Sequence, residues 1–414
     1  MAITPRVAFF SESLHEVNGV ARTSRALLSY ARRHGLPLLA VVPGSQQAQL
    51  TDGTVQRWEL PAGVLSFALD TDIRFDLAFP RWLPYLRSAL DRFAPDLVHV
   101  TGPGHIGFLG AILAHERRLP LVASWHTNVH QFGARRLEQV CSFLPQRLRA
   151  AACRYSERWS LTATLRFYRI AQLLLAPNPE LVVMLEEATG RPCRLMQRGV
   201  DTHLFSPSRR TRKDREFVIG YVGRLCPEKN VRLLARLEDR LRAAGIQDYR
   251  FLVAGQGSEQ KWLAARLRRA SFPGVLQGAA LAEAYANMDV FLFPSETDTF
   301  GNVVLEAMAS GTPPVVMGKG GPKFLVSHGE SGLVAQTEEE LSEAVLKLYS
   351  SPGLLNRLRL NARKFAETRS WDVVFSTLYR DYQVVLPEAK QQTPSGRSDH
   401  ESACLRVEHA AEVG

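Results

Sequence analysis

No run of apolar residues in this 414-residue chain approaches the ~20 needed to cross a bilayer as a helix, so any membrane contact has to be peripheral. The first residues, Met-Ala-Ile-Thr-Pro-Arg-Val-Ala-Phe-Phe, lack the basic start, long apolar region and cleavage site of a secretory signal, and a cytoplasmic location is expected. Cysteine is sparse. Its five copies, Cys141, Cys153, Cys193, Cys226 and Cys404, form no CxxC pair and no metal-ligand spacing, which suits reduced thiols. The pair Gly255 and Gly257 ends a strand-like run without the third glycine of a dinucleotide fingerprint, which argues against a nicotinamide cofactor.

What is present is the balance of a soluble globular protein, with 45% hydrophobic and 22% charged residues. The length exceeds one comfortable core and predicts two domains with extensions. A net charge of +10 points to an anionic partner: a phosphorylated small molecule, a membrane surface or nucleic acid. With no recognisable binding module and no basic tail, nucleic acid is not expected.

Short β-rich apolar runs at Val7–Phe10, Leu38–Val42, Asp96–Val100, Leu121–Ser124 and Gln172–Ala176 alternate with helix-length segments. A second series runs through Phe217–Val222, Tyr249–Ala254, Gly274–Gln277, Asp289–Phe293 and Pro313–Met317. Such a rhythm predicts α/β architecture with parallel sheets covered on both faces. The turn-rich, charged stretch after Arg198 places the boundary near 205, giving domains at 1–205 and 206–370, a helix at 371–388 and a disordered tail at 389–414. Within 132–169, eight arginines face only Glu138 and Glu157, interleaved with Leu, Phe, Trp and Tyr. This basic amphipathic surface reads equally as a solvated helix face and as a contact for anionic lipid.

The richest stretch is Phe293–Gly311, in which a strand ends, a polar turn follows and a helix begins near Phe300 and Gly301. Free N–H groups at a helix start favour a diphosphate, and glycine lets it come close. Asp298 and Glu306 flank this turn. They suit hydroxyl recognition, although Asp298 could equally cap the helix and Glu306 lie on its surface. In Gly223-Arg224-Leu-Cys-Pro-Glu228-Lys229, two cations project from a strand-to-helix turn and could clamp a diphosphate or simply be solvated. Asn18-Gly19 follows the first strand. His126 follows another at the carboxyl edge, where open α/β sheets place ligands, and could also be an ordinary core histidine.

Together and in this order, Asn18-Gly19, His126-Thr127, Gly199-Val200-Asp201, Gly223-Arg224 with Glu228-Lys229, Gly255 and Gly257, and Thr299-Phe300-Gly301 through Glu306-Ala307-Met308 resemble family 4 of the retaining glycosyltransferases. The match spans most of residues 5–385. It implies the GT-B fold, two facing Rossmann-like domains with a cleft between them, and a nucleotide-sugar donor as co-substrate with no cofactor. It also implies Arg224 and Lys229 on the donor diphosphate and the backbone of Phe300, Gly301, Asn302 and Val303 on phosphates and sugar. Glu306 would hold the ribose, Gly19 would approach the phosphates, Gly223, Gly255 and Gly257 would lie near the nucleotide, and His126 would meet the donor sugar. The catalytic set implied is His126, Arg224, Lys229 and Asp298, with Thr299 among the donor ligands.

One departure stands out: the family usually has two glutamates separated by seven residues, whereas here the first is Asp298, with Glu296 able to share its task. No Asp-x-Asp motif occurs in the expected place, so metal independence is expected. The likeness is greatest to bacterial mannosyl-, glucosyl- and sulfoquinovosyl-transferases, implying a hexose moved from GDP-mannose to a lipid or surface glycan, peripherally at the inner face of the plasma membrane. A UDP-hexose donor is the alternative, followed by an epimerase or a non-catalytic nucleotide-sugar binder.

Overall fold

A computed structural model describes residues 4–16, 18–68, 74–126 and 158–386. The apolar runs form two sheets. In the first, β1 (Val7–Phe10), β2 (Leu38–Gly44), β3 (Ala48–Asp52), β4 (Val55–Pro61), β7 (Leu97–Val100), β8 (Leu121–Ser124), β9 (Leu173–Ala176) and β10 (Cys193–Leu195) lie in the order β10-β9-β8-β7-β1-β2-β4-β3. A separate hairpin pairs β5 (Ser66–Ala68) with β6 (Arg74–Asp76). The second sheet orders β11 (Phe217–Val222), β12 (Tyr249–Ala254), β13 (Ala270–Gly274), β14 (Val290–Phe293), β15 (Pro314–Met317) and β16 (Leu333–Ala335) as β13-β12-β11-β14-β15-β16. All its pairings are parallel, and in the first sheet only β3 runs antiparallel, against β4.

Continuous burial along β1, β7, β8, β9, β11, β14 and β15 is what parallel strands covered on both faces require. In each sheet the chain begins centrally and later crosses to the other side, so β1 lies between β2 and β7, and β11 between β12 and β14. At such a reversal the loops leaving the two strands diverge and open a crevice at their carboxyl ends. Both crevices carry the residues singled out from the sequence.

The helix Trp371–Val385 belongs to the first sheet's core, where Phe375, Leu378, Tyr379 and Tyr382 pack with Phe9, Leu27 and Leu38. Val200 and Phe205 instead join the core of the second sheet. The two crossings touch, with Val200 bridged to Ser370, and a Cβ on Gly199 would lie 2.7 Å from the Trp371 backbone. Only glycine admits that approach.

The third strand of the second series is Ala270–Gly274 and not Gly274–Gln277. It is an edge strand with alternating partial exposure, so it lacks the continuous apolar run that marks its neighbours, and it ends where Gly274 turns to φ +78°. The segments 131–144 and 389–414 and most of the basic stretch 132–169 lie outside the described residues. Residues 158–168 are helical, with Thr164, Phe167 and Tyr168 buried and Arg158, Trp159 and Arg166 exposed. Among the described residues, no helix is long and apolar enough to cross a membrane.

Candidate active site

The turn after β14 and the turn after β11 meet at the carboxyl edge of the second sheet. Gly301 adopts φ +97°, and the helix Asn302–Ala309 starts directly behind it with no side chain capping its first N–H groups. Asp298 is therefore not the cap. Its carboxylate instead accepts from Lys229 Nζ at 2.7 Å. Glu296 lies on the other side of the turn and pairs with Lys319 at 3.4 Å. Of the two acids, Asp298 is the one joined to the cation turn.

Arg224 projects from the end of β11, half-exposed, with Glu228 at 3.8 Å. Its loop is pressed against that of Gly255 and Gly257: Leu225 N–H donates to Gln256 O at 2.9 Å, and a Cβ on Gly255 would lie 1.9 Å from Gly223 O. With φ +139° as well, only glycine fits at 255. A second pair of glycines that sequence reading missed, Gly320 and Gly321, supports the acidic turn from behind. A Cβ on Gly321 would meet Thr299 O at 2.1 Å, and Gly321 N–H donates to Asp298 O at 2.6 Å.

Glu306 lies just over one turn into the Asn302 helix and is 2% exposed, so it is no surface residue. Its carboxylate accepts from Tyr285 Oη at 3.1 Å and pairs with Arg22 from the opposite domain. Arg22 belongs to the helix Gly19–Arg33, whose start faces the start of the Asn302 helix: a Cβ on Gly19 would be 3.0 Å from Asn302 Nδ2. Two helix starts, each carrying about half a positive charge, thus face one another at the edge that also carries Arg224 and Lys229, an arrangement able to receive a dianionic group.

The first domain also grips the turn of the second at Thr299. Its Oγ1 donates to His126 O at 3.0 Å, and Asn178 Nδ2 donates to Thr299 O at 2.7 Å. Phe300 behind it is buried, and Val303 packs on the second core. The His126 ring is engaged at both nitrogens, by Ser124 Oγ at 2.7 Å and by Arg198 at 2.9 Å. Burial first, and then the Arg198 charge, hold it neutral well below the usual histidine range. Thr127 lies outside the described residues. Arg22, Asn178, Ser124 and Arg198 carry no local motif that could have announced them; their partners are far away in the chain.

Burial and the Arg198 charge also push His99, hydrogen-bonded to Ser124 and Tyr382, down to about 3 from 6.5. A buried base of this kind contributes stability that is complete above the unfolded pKa and lost as pH falls from there toward the folded one. Between pH 7.5 and 5 that loss is about 2 kcal/mol. The stability advantage of the wild type over His99→Gln is accordingly expected to shrink by about 2 kcal/mol over that interval in urea melts. A difference that stays constant would mean that His99 takes up its proton in the folded state.

Two family models match the chain, Glycosyltransferase Family 4 over residues 17–204 and Glycosyl transferases group 1 over residues 216–351. The GDP-mannose-dependent alpha-mannosyltransferase of Mycobacterium tuberculosis is 34% identical over 92% of this chain and 97% of its own length. Its counterpart in Mycolicibacterium smegmatis is 33% identical, over 92% and 98%. Among solved structures, Anabaena HepE in complex with UDP and glucose superposes with a TM-score of 0.65 at 17% identity, covering 91% of this chain and 99% of that one. Sucrose-phosphate synthase from Thermosynechococcus elongatus does so with a TM-score of 0.69 at 19% identity, covering 91% and 99%. Two Rossmann-like domains facing each other at the carboxyl edges of their sheets, with relatives matching over 92% of the chain, make this chain a glycosyltransferase of family 4 with the GT-B fold.

Proposed function

We propose that the protein transfers mannose from GDP-mannose, with retention of anomeric configuration, to a lipid or surface-glycan acceptor and needs no metal. The observation that carries this is the convergence of Arg224, Lys229, the uncapped Asn302 helix and buried Glu306 opposite Gly19. As the bond from the anomeric carbon to the diphosphate oxygen breaks, negative charge gathers on the leaving group. The two cations and the helix starts are already aimed there, which lowers the barrier without reorganisation. They supply the charge that a divalent ion supplies elsewhere. The acceptor oxygen approaches the face the diphosphate leaves, its proton passes to the departing phosphate oxygen, and no protein nucleophile takes part. The Asp298 carboxylate and the main-chain carbonyl of His126 then hold the sugar from its two sides, and Glu306 holds the ribose.

Guanine and mannose are preferred over a UDP-hexose because the end-to-end relatives are named for GDP-mannose, whereas the UDP-bound neighbours are similar at the level of fold. For the acceptor, exposed Arg158, Trp159 and Arg166 offer a basic face with an aromatic anchor. Exposed Val64, Leu65, Phe67 and Leu77 add apolar surface around the β5–β6 hairpin. Both suit an anionic membrane surface presenting a lipid acceptor at the inner face of the plasma membrane.

A donor panel tests the reading: GDP-mannose, UDP-glucose, UDP-galactose and UDP-N-acetylglucosamine, with nucleoside diphosphate release followed with and without anionic lipid extract and with EDTA. Release from GDP-mannose, increased by lipid and unchanged by EDTA, is expected. Release from a UDP-sugar alone would transfer the proposal to the alternative donor, and loss with EDTA would end the metal-free mechanism.

A further inference from the structure

A line of hydrogen bonds runs from the C-terminal helix to His126 at the cleft. Tyr382 Oη lies 2.7 Å from His99 Nδ1, His99 Nε2 2.9 Å from Ser124 Oγ, Ser124 Oγ 2.7 Å from His126 Nε2, and His126 Nδ1 2.9 Å from Arg198. Arg198 also donates to Met196 O at 3.0 Å. Tyr382, His99, Ser124 and Arg198 are all buried.

The direction of this line is set by its last member. A guanidinium can only donate, so His126 Nδ1 must accept. In a neutral imidazole the proton is then on Nε2, which donates to Ser124 Oγ. Ser124 is then able to pass its own hydrogen to His99 Nε2, with His99 donating from Nδ1 to Tyr382 Oη. Burial keeps both rings neutral, in agreement with this order. The outcome is an imidazole pinned at both nitrogens, and the carbonyl of the same residue is what Thr299 Oγ1 reaches across the cleft.

We propose that Arg198, Ser124 and His99 are positioning residues for sugar transfer: they lock His126 in one tautomer and orientation, and so fix the main-chain carbonyl on which the donor turn of the second domain closes. The proposal rests on the reading of Thr299–Gly301 as the donor turn. Packing alone would not require it, because an apolar side chain of similar shape fills buried volume without the cost of desolvating five polar groups. Tyr382 extends the line to the crossing helix, which thereby contributes to the same constraint.

The test combines histidine nitrogen NMR on the full-length protein with steady-state kinetics. In the wild type, His126 is expected to be protonated only at Nε2 and His99 only at Nδ1, from pH 6 to 8. In Ser124→Ala, the two rings lose their common partner; His126, still held at Nδ1 by Arg198, is expected to keep its Nε2 proton but lose its fixed orientation, with the Nε2 resonance shifted and broadened. Its kcat should fall about 10- to 100-fold, as when groups that orient a functional imidazole are removed, with KM for the donor within about twofold because the second domain's ligands are intact. Ser124→Thr keeps the hydroxyl and should restore both readouts. His126 protonated at Nδ1 in the wild type would overturn the proposal, as would a Ser124→Ala protein with unchanged kcat. Should Ser124→Ala not fold, the wild-type tautomers and Ser124→Thr still decide. The NMR measurement needs no turnover, so inactivity on every donor would count against the proposed reaction and leave the tautomer result to judge the proposal separately.

Discussion

Replacing Arg224 and Lys229 together by alanine is expected to lower kcat/KM for the sugar nucleotide by about 10³-fold or more, with thermal stability almost unchanged. One preorganised donor to a developing charge is worth about 10²- to 10³-fold, and two that act on the same leaving group are not additive, so the double loss falls short of the product. The single substitutions should differ. Arg224 is half-exposed with Glu228 at 3.8 Å, whereas Lys229 is bound to Asp298. Lys229→Ala removes a cation and also leaves the Asp298 carboxylate unneutralised beside an incoming dianion. It should therefore be the more damaging change, and Lys229→Ala/Asp298→Asn should recover part of the loss. Neither side chain belongs to a hydrophobic core, so the melting temperature serves as the control. A double variant within tenfold of wild type would remove these cations from the mechanism.

Glu306→Ala is expected to weaken GDP binding by about 10²-fold or more. A buried carboxylate receiving two ribose hydroxyls makes charge-assisted bonds of about 1.5–3 kcal/mol each, and water cannot replace them at 2% exposure. Before donor arrives, that carboxylate is taken by Tyr285 Oη and Arg22. The ribose has to displace Arg22, which then stands free at the start of its helix, beside the diphosphate gap. Calorimetry with GDP and with 2′,3′-dideoxy-GDP isolates the contact. The wild type should prefer GDP strongly and Glu306→Ala should bind the two alike. If the variant keeps the preference, Glu306 does not hold the ribose, and the loss belongs to the unpartnered Tyr285 and Arg22.

The half of the proposed site on the second domain was legible in the chain because its residues are local neighbours. Arg224 and Lys229 share one turn, and Asp298, Gly301 and Glu306 share one turn and helix, so spacing alone puts them together. The sequence left open whether Asp298 caps the helix and whether Glu306 lies on its surface. Those questions depend on which distant groups come near, Lys229 for one and Tyr285 with Arg22 for the other. The β3–β4 pair was not read from the sequence, since β3 is largely exposed and polar at the sheet edge and carries no apolar run.

By itself, then, the sequence determined the two-domain α/β plan, the family and the turns proposed to take the donor, because burial patterns and helix starts are written in neighbouring residues. Tertiary structure alone decided how the halves meet. It set Arg22 against Glu306, placed Thr299 between His126 and Asn178, and joined Tyr382 to Arg198 through two histidines and a serine. These are contacts between residues far apart in the chain, each needing a partner of complementary hydrogen-bonding capacity rather than a particular spacing, and only the folded arrangement of two sheets and a crossing helix specifies which partner that is.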